Sequence, residues 1–196
     1  MTHESELIFK AQSGDKQAFG ELALLYRKNV CGLAYRMLGD FAEAEDVTQD
    51  VFVRAFLSLG SFTQNREGGF KAWLLTITSR ICIDRTRRVH YRLTSSTAEL
   101  HPHQELAMAE AAESIPEIVG RAETKNSIRR AMLQLPPNYR MAVALKYLED
   151  LDYQEISRIM QIPLGTVGTW IRRGLERLKR ELETKEVTDH ETSVAR

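Results

Sequence analysis

Residues 152–185 read DYQEISRIMQIPLGTVGTWIRRGLERLKRELETK, and this stretch decides the fold class. Asp152 stands three residues before Glu155, the spacing of a capping box that opens a short helix. The helix ends near Gln161, the turn Ile162-Pro163-Leu164-Gly165 follows, and a longer basic helix comes after it. A short helix, a turn containing glycine and a second helix make the helix-turn-helix pattern, whose second helix lies in the major groove of duplex DNA. In that second helix Val167, Ile171, Leu175, Leu178 and Leu182 fall within ~80° of one another, a stripe that must pack on the preceding helices. Thr166, Thr169, Arg173, Glu176 and Arg180 take the opposite face. Residues at the start of such a helix reach base edges, while later basic residues hold phosphates. Thr169 and Arg173 are therefore the base-edge candidates. Arg172, Arg177 and Arg180 are placed for phosphates, and Trp170 for the sugar-phosphate backbone.

Working upstream, a helix from about Glu123 to Leu135 stops at Pro136-Pro137. Pro137 suits the first turn of the next helix, which continues to about Leu148. Residues 123–185 thus form a small four-helix unit, followed by a polar, frayed tail at 186–196. Residues 93–122 lose the helical pattern. They hold Thr94-Ser95-Ser96-Thr97, His101-Pro102-His103 and an Ala/Glu-rich run, and read as a flexible linker with a transient helix near Gln104–Ser114. His101 and His103 have no third ligand at metal spacing and read as a solvated pair.

Residues 1–92 read as a second helical domain. A first strong segment runs from Asp15 to Met37 with Phe19, Leu22, Tyr26, Val30, Leu33 and Met37 at three-and-four spacing. Gly39-Asp40 breaks it, and Asp40 caps the next helix with Glu43 three residues on. That helix stops at Gly60. The polar loop Ser61–Gly69 leads to a helix over Phe70–His90 with Phe70, Trp73, Leu74, Ile77 and Ile81 on one face. The fold class is all-α: two small helical domains joined by a flexible linker.

Composition narrows the function. The chain has 196 residues and a hydrophobic share of 43%, with no apolar run near the ~20 residues a bilayer span needs. The N-terminus carries acidic residues and no signal-peptide core, so a cytoplasmic protein is expected. Cys31 and Cys82 are too few for a disulfide framework and read as buried thiols. No phosphate loop, nucleophile motif or metal-ligand set is present, so an enzyme is not expected, nor a cofactor or metal. Net charge is zero, but the charge is segregated. Ser79–Arg92 carries five arginines against Asp84, Pro163–Lys185 six bases against three glutamates, and Thr94–Ala122 five glutamates against one arginine. Two basic helix ends separated by an acidic connector suggest two contacts with an anionic polymer.

Two helices carry more than a core stripe. Ala44, Val47, Val51 and Ala55 make the inner face of the 40–59 helix, while Val53 and Leu57 lie nearly opposite, beside Asp46 and Asp50. Such a helix either sits centrally in a bundle or offers its outer face to a protein with a basic, partly apolar groove. On the 70–90 helix, Trp73, Arg80, Asp84 and Arg87 share a flank. An aromatic among arginines suits an opened nucleic-acid strand, with bases on the ring and guanidinium groups on phosphates. A tryptophan at this spacing can also be core.

The runs Ala34-Tyr35-Arg36-Met37-Leu38-Gly39-Asp40, Glu43–Phe52 and Arg54-Ala55-Phe56 closely resemble region two of bacterial sigma factors of the two-domain extracytoplasmic-function group. Ala72-Trp73-Leu74 and Ile83-Asp84-Arg85 resemble that family's promoter-melting helix. Leu135-Pro136, Tyr139-Arg140, Tyr153-Gln154-Glu155-Ile156 and Pro163-Leu164-Gly165-Thr166-Val167 resemble its region four. The resemblance implies a promoter-specificity subunit that binds RNA polymerase core through the β′ coiled coil and the β flap. It places Asp46, Gln49, Asp50, Val53 and Leu57 at the β′ coiled coil. It places Asn65, Arg66, Trp73, Arg80, Asp84, Arg87 and Arg88 at the minus-ten element, where a base is captured from the opened strand. The helix-turn-helix residues Thr166, Thr169, Trp170, Arg172, Arg173, Arg177 and Arg180 would read the minus-thirty-five element. An anti-sigma factor, often membrane-anchored, is the implied regulator. Arg80 replaces an asparagine common in relatives, and Gly168 and Trp170 stand where relatives often carry bases, so both promoter preferences are this chain's own. The competing expectation is a stand-alone helix-turn-helix regulator that uses the first domain for ligand sensing or dimerisation.

Overall fold

The computed structural model describes residues 2–63, 68–95 and 122–194, and every regular element among them is helical. In the first domain α1 (His3–Gln12) precedes α2 (Lys16–Leu38), α3 (Phe41–Ser58), a 3-10 turn (Leu59–Ser61) and α4 (Gly69–Ser95). Local chemistry sets the boundaries. Asp15 accepts hydrogen bonds from the Gln17 and Ala18 amides at 2.8 and 3.1 Å, which starts α2. Gly39 ends it at φ 77°, the left-handed C-terminal position that glycine adopts without a Cβ penalty. Asp40 then accepts from the Glu43 amide at 2.9 Å. The expected second half of that box gives way to an interhelical contact, since the Glu43 carboxylate faces Arg85 at 3.6 Å. Periodicity alone does not single out α1, which is short and buries only Leu7, Ile8 and Ala11.

The first core gathers Leu22, Leu33 and Met37 from α2, Val47 and Val51 from α3, and Phe70, Leu74 and Leu75 from α4. Each fully buried side chain of this size contributes roughly 1.5–3 kcal/mol. α4 packs on α2 and α3 and carries Thr76, Thr78 and Ser79 inside the protein. These hydroxyls donate to carbonyls one turn back at 2.8, 2.8 and 3.0 Å, so burial leaves no donor unmet.

The second domain is α5 (Ala122–Gln134), α6 (Pro137–Tyr147), α7 (Tyr153–Met160) and α8 (Leu164–Val194). The Asp152–Glu155 box forms in both directions: the Glu155 amide donates to Asp152 at 2.7 Å, and the Asp152 amide to Glu155 at 2.8 Å. Three boundaries differ from expectation. The turn comprises Gln161 to Pro163, with Gln161 left-handed at φ 56°, so Leu164 and Gly165 already belong to α8. α4 runs to Ser95 rather than stopping near His90, and α8 runs past Lys185 to Val194, where a frayed tail was expected. The linker's His101 and His103, expected to be a solvated pair, and its Gln104–Ser114 segment lie outside the described residues.

The two domains do not stand apart. α7 lies against α4, and α5 and α6 lie against α2, so one continuous apolar core runs through both. Arg140 on α6 is buried, and its guanidinium donates to the Met37 carbonyl at the end of α2, and to the Leu133 and Leu135 carbonyls. Burial pulls its pKa down to about 10, which leaves it a cation at neutral pH. Leu133 presses on Gly39 across the same junction.

Candidate nucleic-acid interface

Three surfaces carry the residues singled out by the sequence. The first is the outer face of α3. Asp46 and Gln49 are exposed, Val53 is 58% exposed and Leu57 78%, and Phe56 adds a further partly open ring. These positions follow helical spacing, so one strip of α3 presents acid at one end and bare apolar surface at the other. The inner face, Ala44, Val47, Val51 and Ala55, is fully buried. α3 is therefore not a central bundle helix covered on both sides. Asp50 is half-exposed and turned toward α4, where Arg85 holds it at 2.8 Å.

The second surface is α4. Arg80, Asp84, Arg87 and Arg88 are exposed along its solvent side. Trp73, expected to share that side as a stacking platform, lies instead in the core at 6% exposure. Its ring packs against Phe62 and Phe70 at 5.1 and 5.3 Å between centroids, and Tyr26 extends the cluster through Phe70. The reason is geometric: the flank beside a core stripe is still within reach of the chain entering α4, and Phe62 covers it. Asn65 and Arg66, the loop candidates, lie outside the described residues. Gln12 of α1 fixes the loop's entry by donating to the Leu59 and Phe62 carbonyls at 3.0 and 2.7 Å, a contact with no signal in the sequence reading.

The third surface is the start of α8. Ser157 donates to the Ile162 carbonyl at 2.6 Å and fixes the turn. Val167 and Ile171 are buried as expected, but Leu175 is exposed. Gly174 takes its place in the inward face, close beneath Val143 and Tyr139 of α6. Arg173 is exposed on the outward face. Arg172 is exposed and pairs with Glu176 at 2.7 Å, one helical turn on. Arg177 lies over the Tyr139 ring at 5.7 Å, and Trp170 leans on the same tyrosine at 6.2 Å. Thr166 and Thr169 are partly buried, and the Thr169 hydroxyl donates to the Gly165 carbonyl at 2.9 Å. Arg180 is exposed further along, its Nε 3.4 Å from the Glu176 carbonyl.

Two residues that join these surfaces escaped the sequence reading. Glu149 follows α6, yet its carboxylate is 3.0 Å from Lys71 of α4 and 3.2 Å from Asn29 of α2. Arg140 directly precedes the apolar run Met141–Leu145 of α6, which is the one signal that could have marked it as a buried anchor. Among the described residues no cluster of His, Cys, Asp and Glu could hold a metal ion, and no helix is long and apolar enough to cross a membrane. The Cys82 thiol is buried, and burial pushes its pKa up to about 12.

Known proteins share most of this chain. The profile described as Sigma-70 region 2 matches residues 22–92, and that described as Sigma-70, region 4 matches residues 125–178. The ECF RNA polymerase sigma factor SigW of Bacillus subtilis is 37% identical over 178 residues, covering 89% of this chain and 94% of the relative. The RNA polymerase sigma-H factor of Pseudomonas aeruginosa is 31% identical over 189 residues, covering 92% of this chain and 94% of the relative. Among solved structures, the sigma factor RpoE of Bartonella quintana, crystallised with the anti-sigma factor NepR, superimposes with a TM-score of 0.65 at 21% identity, over 84% of this chain and 96% of that one. CnrH in complex with the cytosolic domain of CnrY gives 0.63 at 21% identity, over 93% and 99%. At that identity the two structures speak for the fold.

Proposed function

We propose, for a chain that belongs to the sigma-70 family and is an RNA polymerase sigma factor of its extracytoplasmic-function group, a division of labour among the three surfaces. The chain is a transcription initiation factor and not an enzyme. In this reading residues 1–92 bind core polymerase and open the minus-ten element. Residues 123–185 read the minus-thirty-five element, with the stretch between them as connector. The observation that carries it is the outer strip of α3, where Asp46, Gln49, Val53 and Leu57 stay open to solvent while the face behind them is buried. An acidic and apolar strip of this kind fits the β′ coiled coil of core polymerase, with Asp50 at its edge. The β flap is the matching contact for the second domain.

Arg80, Asp84, Arg87 and Arg88 line the side of α4 that would meet the minus-ten strand, with Asn65 and Arg66 in the loop before it. Guanidinium groups there neutralise phosphates as the strand leaves the duplex. In α8, Arg173 is the strongest base-reading residue. Thr166 and Thr169 border it, Arg172 and Arg180 flank it for phosphates, and Arg177 and Trp170 brace on Tyr139 as they approach the backbone. An anti-sigma factor is the proposed regulator, by analogy with the complex solved for RpoE and NepR. The active protein works in the cytoplasm at the nucleoid, and a membrane-anchored regulator would hold it elsewhere.

Run-off transcription with core enzyme on genomic DNA, followed by sequencing of the 5′ ends, tests the reading. The expected result is a set of starts that need this protein and share two elements upstream. Tight binding to a palindromic duplex without polymerase, and no core-dependent transcript, would establish the stand-alone regulator instead.

A further inference from the structure

α1 carries none of the residues assigned to DNA or polymerase, yet it reaches both ends of the connection that leads from α3 into α4. Gln12, the last residue of α1, is exposed and ends in an amide with two donors. Both are spent on the main chain of that connection. The Gln12 Nε2 donates to the Leu59 carbonyl at 3.0 Å and to the Phe62 carbonyl at 2.7 Å. These carbonyls bracket the 3-10 turn, and the carbonyls at the end of a helix need partners from outside it. From within, the Phe62 amide donates to Leu59 at 3.0 Å and the Ser61 hydroxyl to Ser58 at 2.7 Å. Phe62 then leaves the turn extended, at φ −77° and ψ 130°, and buries its ring against Trp73 and Phe70.

The other end is fixed as firmly. Gly68 and Gly69 are left-handed at φ 83° and 65°, and a Cβ on Gly68 would meet that of Ala72 at 2.6 Å. Phe70 enters the core directly after them and packs on Tyr26 of α2 at 5.6 Å. The Tyr26 hydroxyl donates to the Glu4 carboxylate of α1 at 2.8 Å. α1 thus holds the entry through Gln12 and the exit through Glu4 and Tyr26. Gln12 stands outside the core that α1 makes with Leu7, Ile8 and Ala11, and one surface amide adds little to global stability. What it sets is where the chain leaves α3 and how Phe62 seats on α4.

We propose that Gln12 is a positioning residue for the minus-ten reader, clamping the Leu59 and Phe62 carbonyls so that the chain entering α4 meets the opened strand in one fixed placement. Base selection depends on such support, because a reading site left about 1 Å loose loses its discrimination. The inference rests on the assignment of α4 and the connection before it to the minus-ten element, but the clamp itself can be tested without DNA.

Two variants remove the clamp with little change of shape. Gln12→Leu loses both donors, and Gln12→Glu turns acceptor oxygens on the two carbonyls. Gln12→Lys supplies donors again at the end of a chain of similar reach. Acrylamide quenching of Trp73, read on the full chain in a Trp170→Phe background, reports how firmly Phe62 covers the ring. Quenching should rise in Gln12→Leu and Gln12→Glu and return toward wild type in Gln12→Lys. Unchanged quenching in Gln12→Leu would overturn the clamp. Should that variant fail to fold, Gln12→Glu decides by the same criterion.

The second arm uses core polymerase. Permanganate footprinting on a promoter found by run-off transcription, and on its single-base minus-ten substitutions, gives a discrimination ratio. Gln12→Leu and Gln12→Glu should lower that ratio about three- to tenfold, the loss that a neutral hydrogen bond commonly carries. Gln12→Lys should stay close to wild type. Co-purification with core, melting temperature and the response to minus-thirty-five substitutions should not change. Full discrimination in Gln12→Leu would overturn the positioning role. Equal losses of opening on every minus-ten sequence, or a parallel loss at minus thirty-five, would overturn it too, since a merely structural residue behaves that way. Failure of the underlying reading looks different: the wild type itself would give no core-dependent transcript, or opening indifferent to minus-ten substitutions, with the quenching changes intact.

Discussion

The guanidinium of Arg85 on α4 stands 2.8 Å from the carboxylate of Asp50 on α3, and 3.6 Å from that of Glu43 at the start of the same helix. Beyond its packing on α4, the proposed polymerase-docking helix is thus linked to the proposed melting helix through the Arg85 side chain. The pair is partly exposed, with Arg85 at 28% and Asp50 at 48%, so it adds less than ~1 kcal/mol to stability. Its consequence is positional: a partner that competes for Asp50 leaves Arg85 with Glu43 alone.

Asp46→Arg and Asp50→Arg should therefore both abolish co-purification with core polymerase. They should differ in stability. Asp46 is exposed, so its reversal should leave the melting temperature unchanged, whereas Asp50→Arg sets two cations together and should lower it slightly. Retained co-purification of either variant would remove that residue from the docking surface.

Of the two readings the sequence leaves for Trp73, stacking platform or core, burial favours the core. With its ring packed between Phe62 and Phe70, Trp73→Ala should cost about 3–5 kcal/mol in a denaturant titration, the range for emptying a large aromatic site. Trp73→Phe should recover much of that. A Trp73→Ala protein of normal stability that binds promoter but fails to open it, by permanganate footprinting, would restore the stacking role.

The contrast between Trp73 and the helix-turn-helix shows where sequence reading reaches and where it stops. The α7 start is legible because its cap is local: Asp152 and Glu155 are three residues apart and satisfy each other. The helical periods of α2, α3, α4 and α8 are legible for the same reason. A helical wheel separates the centre of a face from its opposite, but not the flank at its edge, which is why it leaves Trp73 open between core and stacking and misplaces Leu175. Contacts such as Asn29 with Glu149 join residues 120 positions apart, and no local pattern announces them. The two-domain reading was right about the parts and silent about their packing.

Arg173 and Arg172 are adjacent but should behave differently. Arg173 projects from the outward face of α8, while Arg172 is engaged by Glu176 at 2.7 Å. Arg173→Ala should cost ~1–3 kcal/mol at the preferred minus-thirty-five sequence and relax specificity there. Arg172→Ala should weaken binding about equally on all sequences and reduce the salt dependence. A competition assay across single-base variants of the element separates the two. Uniform loss for Arg173→Ala would reduce it to a phosphate contact.

Two glycines of α8 give the sharpest pair. A Cβ built on Gly174 would meet the Val143 side chain at 2.7 Å and Tyr139 at 3.5 Å, so this glycine is what lets α8 approach α6. Gly174→Ala should force that contact apart and destabilise the second domain by about 1–3 kcal/mol, the usual cost of overpacking. A Cβ on Gly168 would meet only the Tyr153 ring, at an ordinary 3.6 Å. There alanine should stabilise the helix by up to ~1 kcal/mol, since it removes a glycine from a helical interior. Thermal unfolding of the two variants beside the wild type checks both signs in one experiment. A stabilising Gly174→Ala would mean that α8 does not seat on α6 at this point. The orientation of Arg173 toward DNA would then have to be reassigned with it, because the two residues are neighbours on one rigid helix and a rotation that frees Gly174 carries Arg173 away from the outward face.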